Sequence, residues 1–288
     1  MREYTYQFLP ENYDNPESPV LKITKSSFGS YQWCPKKYEF SYIERLPQDQ
    51  TEAMAKGTIV HNAREDFFNE FDIKKAESLS HSELVDYCIS LHPIDDYSEM
   101  YETISIFEAN RFLEAKEEGM LENFVPAVNE IMFDAEITID ADTTDKYPLS
   151  RDYVVHLQGI IDRMFYEEGS YIPMELKTGL WKDYKKTMMR KEMAFYQLLF
   201  ENCPRELLDT HGLDGNIPIT HWGWFYPASN YVYVEPAKKG SYTSVIKGIA
   251  QMLHSYEQGI FPTKYFAKTC ASCSFYGICD AANEESWL

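Results

Sequence analysis

Asp162, Glu175 and Lys177 are the residues whose types and spacing point most directly to chemistry. They fall within residues 154–179, VVHLQGIIDRMFYEEGSYIPMELKTG. Val155, Leu157 and Ile161, then Ile172, Met174 and Leu176, give the apolar alternation of two half-buried strands, and Glu-Glu-Gly-Ser interrupts them. With Glu168 and Gly169 at the centre of a two-residue turn, antiparallel pairing sets Asp162 opposite Glu175. Side chains alternate faces along a strand, so Glu175 and Lys177 point the same way. Pro173 cannot donate to a ladder and predicts a bulge or strand end beside it. Two carboxylates at a sheet edge form a hard-oxygen site suited to Mg²⁺ or Mn²⁺. A neighbouring ammonium could orient a water or offset charge on a phosphoryl group. Alone, Asp…Glu-x-Lys is a common scatter of surface charge, and its weight comes from the rest of the chain.

A second group is Cys270, Cys273 and Cys279, spaced Cys-x₂-Cys-x₅-Cys, with Cys34 before a proline far upstream. Inside a cell such a cluster reads as a metal or iron–sulfur site rather than as disulfides. Four thiolates suit zinc as well as iron–sulfur, and Cys34 alone reads equally as a small buried hydrophobe. His61 sits on or beside an apolar helical stripe, where a histidine is more often a satisfied core residue than a ligand. Lys182, Lys185, Lys186 and Arg190 share one face of a helix expected over 182–202. That face is a phosphate-contacting stripe or an ordinary solvated surface. Gln197 lies in the otherwise apolar segment 194–200, as a buried or active-site hydrogen-bonding residue.

The elements that must position these groups follow in order. A short strand is expected at residues 4–9. Ser26 or Ser27 caps an aromatic-rich helix broken at Pro35, and helical segments follow Gly57 and run over 104–122. Residues 131–139 alternate as a strand with one polar face, where Glu130 reads more readily as a solvated residue than as a helper at the metal site, which its position also permits. After the hairpin come a long helix, strands at 219–226 and 231–234, and a helix over 245–258. The order predicts an α/β fold: a mixed central sheet flanked by helices, with a helical N-terminal part folded around it. The expected divisions are a lead-in (1–25), a helical part (26–125), a core (126–265) and a C-terminal cysteine segment (266–288), in one integrated domain.

The chain has 288 residues and a net charge of −19. That balance argues against coating nucleic acid by bulk attraction, but not against a local basic track. No apolar run reaches the length of a membrane span, and the first residues lack a secretory pattern. A soluble, cytoplasmic protein with no membrane partner is expected.

The chain resembles the PD-(D/E)XK nucleases, and specifically the RecB-like exonucleases that carry an iron–sulfur cluster. That group includes the CRISPR-associated adaptation exonucleases and the nuclease domain of the AddB helicase–nuclease subunit. The motifs SSFGSYQWCPKKYEFSYI, GTIVH, GIIDR, ELKTG, a Gln-bearing helix and CASCSFYGIC occur in the family's order, from Ser26 to Asp280. The resemblance implies a restriction-endonuclease-like core. It implies metal ligation by His61, Asp162, Glu175 and the Leu176 carbonyl, with Lys177 as the motif lysine and Gln197 as a further catalytic residue. It implies a [4Fe–4S] cluster on Cys34, Cys270, Cys273 and Cys279, clasping the two ends of the domain. The family often has Gln followed four residues later by Tyr; here Gln197 is followed by Glu201, with Tyr196 just before it. The implied activity is Mg²⁺- or Mn²⁺-dependent hydrolysis of DNA, as an exonuclease on single strands or ends. The setting would be DNA repair, recombination or CRISPR spacer acquisition, with an integrase-like or helicase partner. The alternative is a DNA-binding iron–sulfur module that works only as a subunit of a larger assembly.

Overall fold

The computed structural model describes residues 21–48 and 51–280. The strand expected at residues 4–9 lies outside them, as does the acidic C-terminal tail. Strand β1 (Leu21–Thr24) leads straight into helix α1 (Lys25–Trp33). Thr24, rather than Ser26 or Ser27, is the N-cap; its side chain accepts from the Ser27 N–H while Ser27 Oγ caps back. Extended backbone at Cys34 ends the helix, and Pro35 opens a short second one. Then come α2 (Glu52–Glu70), α3 (His81–Ser90) and α4 (Ser98–Glu117), followed by β2 (Val128–Ile139), β3 (Tyr153–Glu167) and β4 (Ser170–Leu176). Helix α5 (Lys186–Glu201), strands β5 (His221–Tyr226) and β6 (Tyr231–Pro236), and α6 (Lys239–Gln258) complete the fold. No helix among the described residues is long and apolar enough to cross a membrane.

The expected mixed sheet flanked by helices is present. β3 is its spine. It pairs antiparallel with β2 along one edge; along the other it pairs with β1 in parallel and with β4 in the hairpin. β5 continues the sheet parallel to β4, and β6 closes it. The hairpin register is the expected one: Glu167 pairs with Ser170 and Arg163 with Met174, which carries Asp162 to the level of Glu175. Glu168 and Gly169 both have positive φ, 49° and 76°, as a tight two-residue turn requires. The Pro173 expectation holds on the β5 side. Tyr171 bridges Ile219, but the ladder resumes one residue out of step, at Met174 with Gly223.

The two-residue period breaks where β2 crosses β3. Main-core residues on β3 run Val155, Leu157, Ile161 and then Met164; on β2 they run Val128 and then Phe133, Ala135, Ile137 and Ile139. Asn129 pairs with Arg163 and Ile131 with Ile161, leaving Glu130 facing Asp162 at a φ of 53°. A left-handed glutamate costs on the order of 1–2 kcal/mol. The kink lets Asp162 point toward α5 while Arg163 points to the helical layer.

α1, α5 and α6 cover one face of the sheet, with Phe28 stacked on Phe195. Gly159 permits close approach there: a Cβ would lie 3.3 Å from Leu199 Cδ2. α2 and α4 cover the hairpin end of the other face through Val60, Ala63, Tyr101 and Ile104. A buried ionic knot fastens these helices to β3. Arg163 ion-pairs with Glu108, which also holds Arg111 at 2.7 Å, and Arg163 donates to the Arg64 carbonyl at 3.3 Å. Burial works against charged Glu108, but Arg163 and Arg111 outweigh it and hold the carboxyl below its usual range. Glu108→Gln would leave these arginines buried without a counter-charge. It is expected to destabilise the fold by about 3–5 kcal/mol, measured by urea unfolding.

Candidate metal centre

His61 is carried on α2 two turns into the helix, above the β2–β3 crossing. Its Nδ1 lies 2.9 Å from Glu130 Oε1 and 3.8 Å from Asp162 Oδ2. One ligand atom from each of the three lies within 4.8 Å of the others. Burial pushes the imidazole pKa down, but the Glu130 hydrogen bond and the Asp162 charge raise it overall. Glu130 is therefore a member of the group. The expectation that it is a solvated strand residue is corrected, and the left-handed backbone is what turns it in.

Asp162 is buried, with Oδ2 accepting the Leu176 N–H at 3.0 Å. This bond ties the last residue of β4 to β3 just where regular pairing stops. Burial, and then the Glu175 charge, push the Asp162 carboxyl up to about 6. Glu175, also buried, goes the other way. Burial works against its charge, but Lys177 and Lys25 hold it far below the normal carboxylate range. Lys25 Nζ lies 2.7 Å and Lys177 Nζ 2.5 Å from Glu175 Oε1, and the Tyr196 hydroxyl donates to Oε2 at 2.6 Å. Lys177 also pairs with Glu192 at 2.7 Å. Burial opposes its charge, yet Glu175 and Glu192 raise its pKa well above normal, so it stays an ammonium.

Gln197 does not reach this group. Its amide donates to Glu201 at 2.6 Å and its carbonyl accepts from Trp222 at 3.2 Å. The pair on the site-facing side of α5 is Glu192 and Tyr196, four residues apart and so on one helix face. The Glu192–Tyr196 spacing was the available signal. Lys25 gave none, because its role depends on β1 docking beside β3.

The basic stripe is also corrected. Residues 183–185 form a 3₁₀ turn and α5 starts only at Lys186, so the four side chains do not line one helix. Arg190 is held by Glu235 through two bonds of 2.5 and 2.7 Å, and Lys186 donates to the Tyr233 hydroxyl at 2.6 Å. Lys185 donates to the Leu180 carbonyl, and Lys182 is exposed.

The cysteines behave as a group. Cys34 and, 236 or more residues on, Cys270, Cys273 and Cys279 line one cavity, and all four are free thiols. Lys36, Lys37 and Lys264 line the same cavity, and the Lys264 N–H points at Cys34 Sγ from 3.5 Å.

The family model described as the PD-(D/E)XK nuclease superfamily matches residues 22–280. The chain belongs to the PD-(D/E)XK nuclease superfamily. No curated protein matches it. The crystal structure of SSO0001 is similar at 14% sequence identity over 80% of this chain and 98% of that one, with a TM-score of 0.34. As in other PD-(D/E)XK nucleases, a divalent metal ion is the expected cofactor, and the His–Glu–Asp group could bind one. The donor set fits. Among the described residues Glu175 pairs with Lys25 and Lys177, and Glu192 with Lys177, whereas Glu130 and Asp162 pair only with His61, and the ligand atoms are carboxylate oxygens and one imidazole.

The buried carboxylates leave a mark on stability. A carboxyl raised from 3.8 to about 6 on folding contributes stability that is full below the unfolded value and lost as pH rises through the folded one. Metal-free Asp162→Asn, which keeps an acceptor for the Leu176 N–H, is expected to melt above wild type at pH values over 6. The gap should close as pH falls toward 3.8, in thermal melts with chelator present.

Proposed function

We propose that this protein is a divalent-metal-dependent deoxyribonuclease that acts as an exonuclease on single-stranded DNA or DNA ends. The observation that carries the reading is the convergence of His61, Glu130 and Asp162 beside the Glu175–Lys177 pair. His61, Glu130 and Asp162 would hold Mg²⁺ or Mn²⁺, with Glu175 and the Leu176 carbonyl as the next donors from β4. The bound ion would supply an acidified water and a polarised phosphate. Lys177, fixed between Glu175 and Glu192, keeps its proton and presents a cation to the attacking water and the phosphate. Tyr196 holds Glu175 oriented through its hydroxyl at Oε2, and Lys25, itself hydrogen-bonded to Tyr196, does so at Oε1. Gln197 takes no part.

In the same reading Cys34, Cys270, Cys273 and Cys279 ligate a [4Fe–4S] cluster. What supports it is the meeting of four free thiols from both ends of the described chain in one lysine-lined cavity. Hydrolysis moves no electrons, so the cluster's work is to clasp α1 to the C-terminal segment. Protein purified without oxygen is expected to hold about four iron atoms per chain; one zinc in their place would contradict this assignment.

The activity is tested on end-labelled single- and double-stranded DNA with Mn²⁺, Mg²⁺ or chelator. Wild type is expected to cut only with metal, and Lys177→Ala to lose about 100-fold or more in rate. Equal cleavage by both proteins, or cleavage in chelator, would overturn the assignment.

A further inference from the structure

α1 carries an arrangement that the metal centre does not account for. Its first residue, Lys25, touches Glu175, and its end adjoins Cys34. Near that end, Lys191 Nζ donates to the Gln32 side-chain carbonyl and Lys264 Nζ to the Gln32 backbone carbonyl, each at 2.8 Å. Two ammonium groups from distant parts of the chain thus meet at one residue, Lys191 from α5 and Lys264 from the segment before the cysteines. Among the described residues neither has a carboxylate within ion-pairing distance. In a chain with 46 acidic and 27 basic side chains, these two lysines meet at one residue of α1 with no carboxylate partner among the described residues. Burial lowers the pKa of Lys191, so an anion beside it would relieve it.

The surroundings suit a strand. Seven residues separate Lys25 from Gln32, about 10 Å of helix axis, or roughly three nucleotides at the 3.4 Å rise of a DNA strand. Between them Gly29 is exposed and opens onto empty space. Among the described residues, the aromatic side chains more than a third exposed are Trp33, Tyr184, Tyr265 and Phe266. Trp33 ends α1, and Phe266, 62% exposed, lies two residues past Lys264. Cations that track a backbone, with exposed rings for its bases, are the components of a single-strand groove.

We propose that Lys191 and Lys264 form a phosphate-binding ledge along α1. It leads a single DNA strand between the carboxylate centre and the cysteine segment, with Trp33 and Phe266 as stacking platforms. This inference rests on the nuclease reading and replaces the 182–190 stripe as the path of the substrate. Both lysines stand outside the groups that hold Glu175 and Asp162, so they can be changed without dismantling the centre.

The test uses a fluorescein-labelled oligodeoxythymidine of roughly 20 nucleotides, read by anisotropy across a salt series with Ca²⁺ in place of Mg²⁺. Each lost phosphate contact lowers the slope of log K against log salt by about 0.7 for a single strand. Lys191→Gln is expected to lower it by about 0.7, and the Lys191→Gln, Lys264→Gln double variant by about 1.4, some 25-fold weaker binding at 0.1 M salt. Lys191→Arg and Lys182→Gln should keep the wild-type slope. Lys191→Gln lies outside the cysteine cavity and is read even if Lys264→Gln disturbs the cluster. Wild-type slopes in Lys191→Gln and in the double variant, from a protein that cuts DNA, would overturn the ledge and leave the nuclease reading intact. A wild type that neither binds nor cuts DNA would overturn both.

Discussion

Two carboxylates buried side by side on neighbouring strands cannot both hold their charge without compensation, and most of this molecule is arranged around that fact. Asp162 and Glu175 meet because β3 and β4 form a tight hairpin. Glu175 stays ionised because Lys25 and Lys177 flank it. Asp162 lacks such a pair and is pushed up to about 6. The centre therefore holds one satisfied carboxylate and one that gains from any cation brought near it. His61 and Glu130 stand at the open side of Asp162. The same shortage of positive charge that destabilises the metal-free fold is what would draw a divalent ion in.

Geometry at this point depends on a break in sheet regularity. An ideal β2–β3 ladder would leave Asp162 in step with Gln158 and Ile160, on the partly open face. The kink at Glu130 shifts the phase by one residue, so Asp162 turns inward and Glu130 comes round to His61. The strain is held by neighbours on both sides. Arg163, next along β3, is locked to Glu108 and to the backbone of Arg64, and Arg64 sits less than one turn from His61 on α2. The ionic knot and the candidate metal centre are thus opposite faces of one crossing.

The sequence made the hairpin legible down to its register, because a two-residue turn at Glu168 and Gly169 leaves one pairing. His61 and the four cysteines were legible as members of a pattern, and the cysteines do share a cavity. What was lost depends on contacts between distant segments. Lys25 reaches Glu175 only because β1 docks against β3, and no local period announces that. Glu130 looked like one polar residue among several on an alternating strand; a left-handed backbone at a glutamate has no sequence signature. Gln197 failed by one helical position, since a step of about 100° per residue puts Tyr196 on the carboxylates and Gln197 on Trp222. The basic stripe failed because its helix starts four residues late and Glu235, far along the chain, claims Arg190.

The most direct test of the account is a crystal of the wild-type protein soaked in Mn²⁺ and measured at the manganese absorption edge. The expected result is an anomalous peak within coordination distance of His61, Glu130 and Asp162, beside Glu175. A peak elsewhere, or none at this group under saturating Mn²⁺, would contradict the claim that the strained β2–β3 crossing exists to build a metal centre.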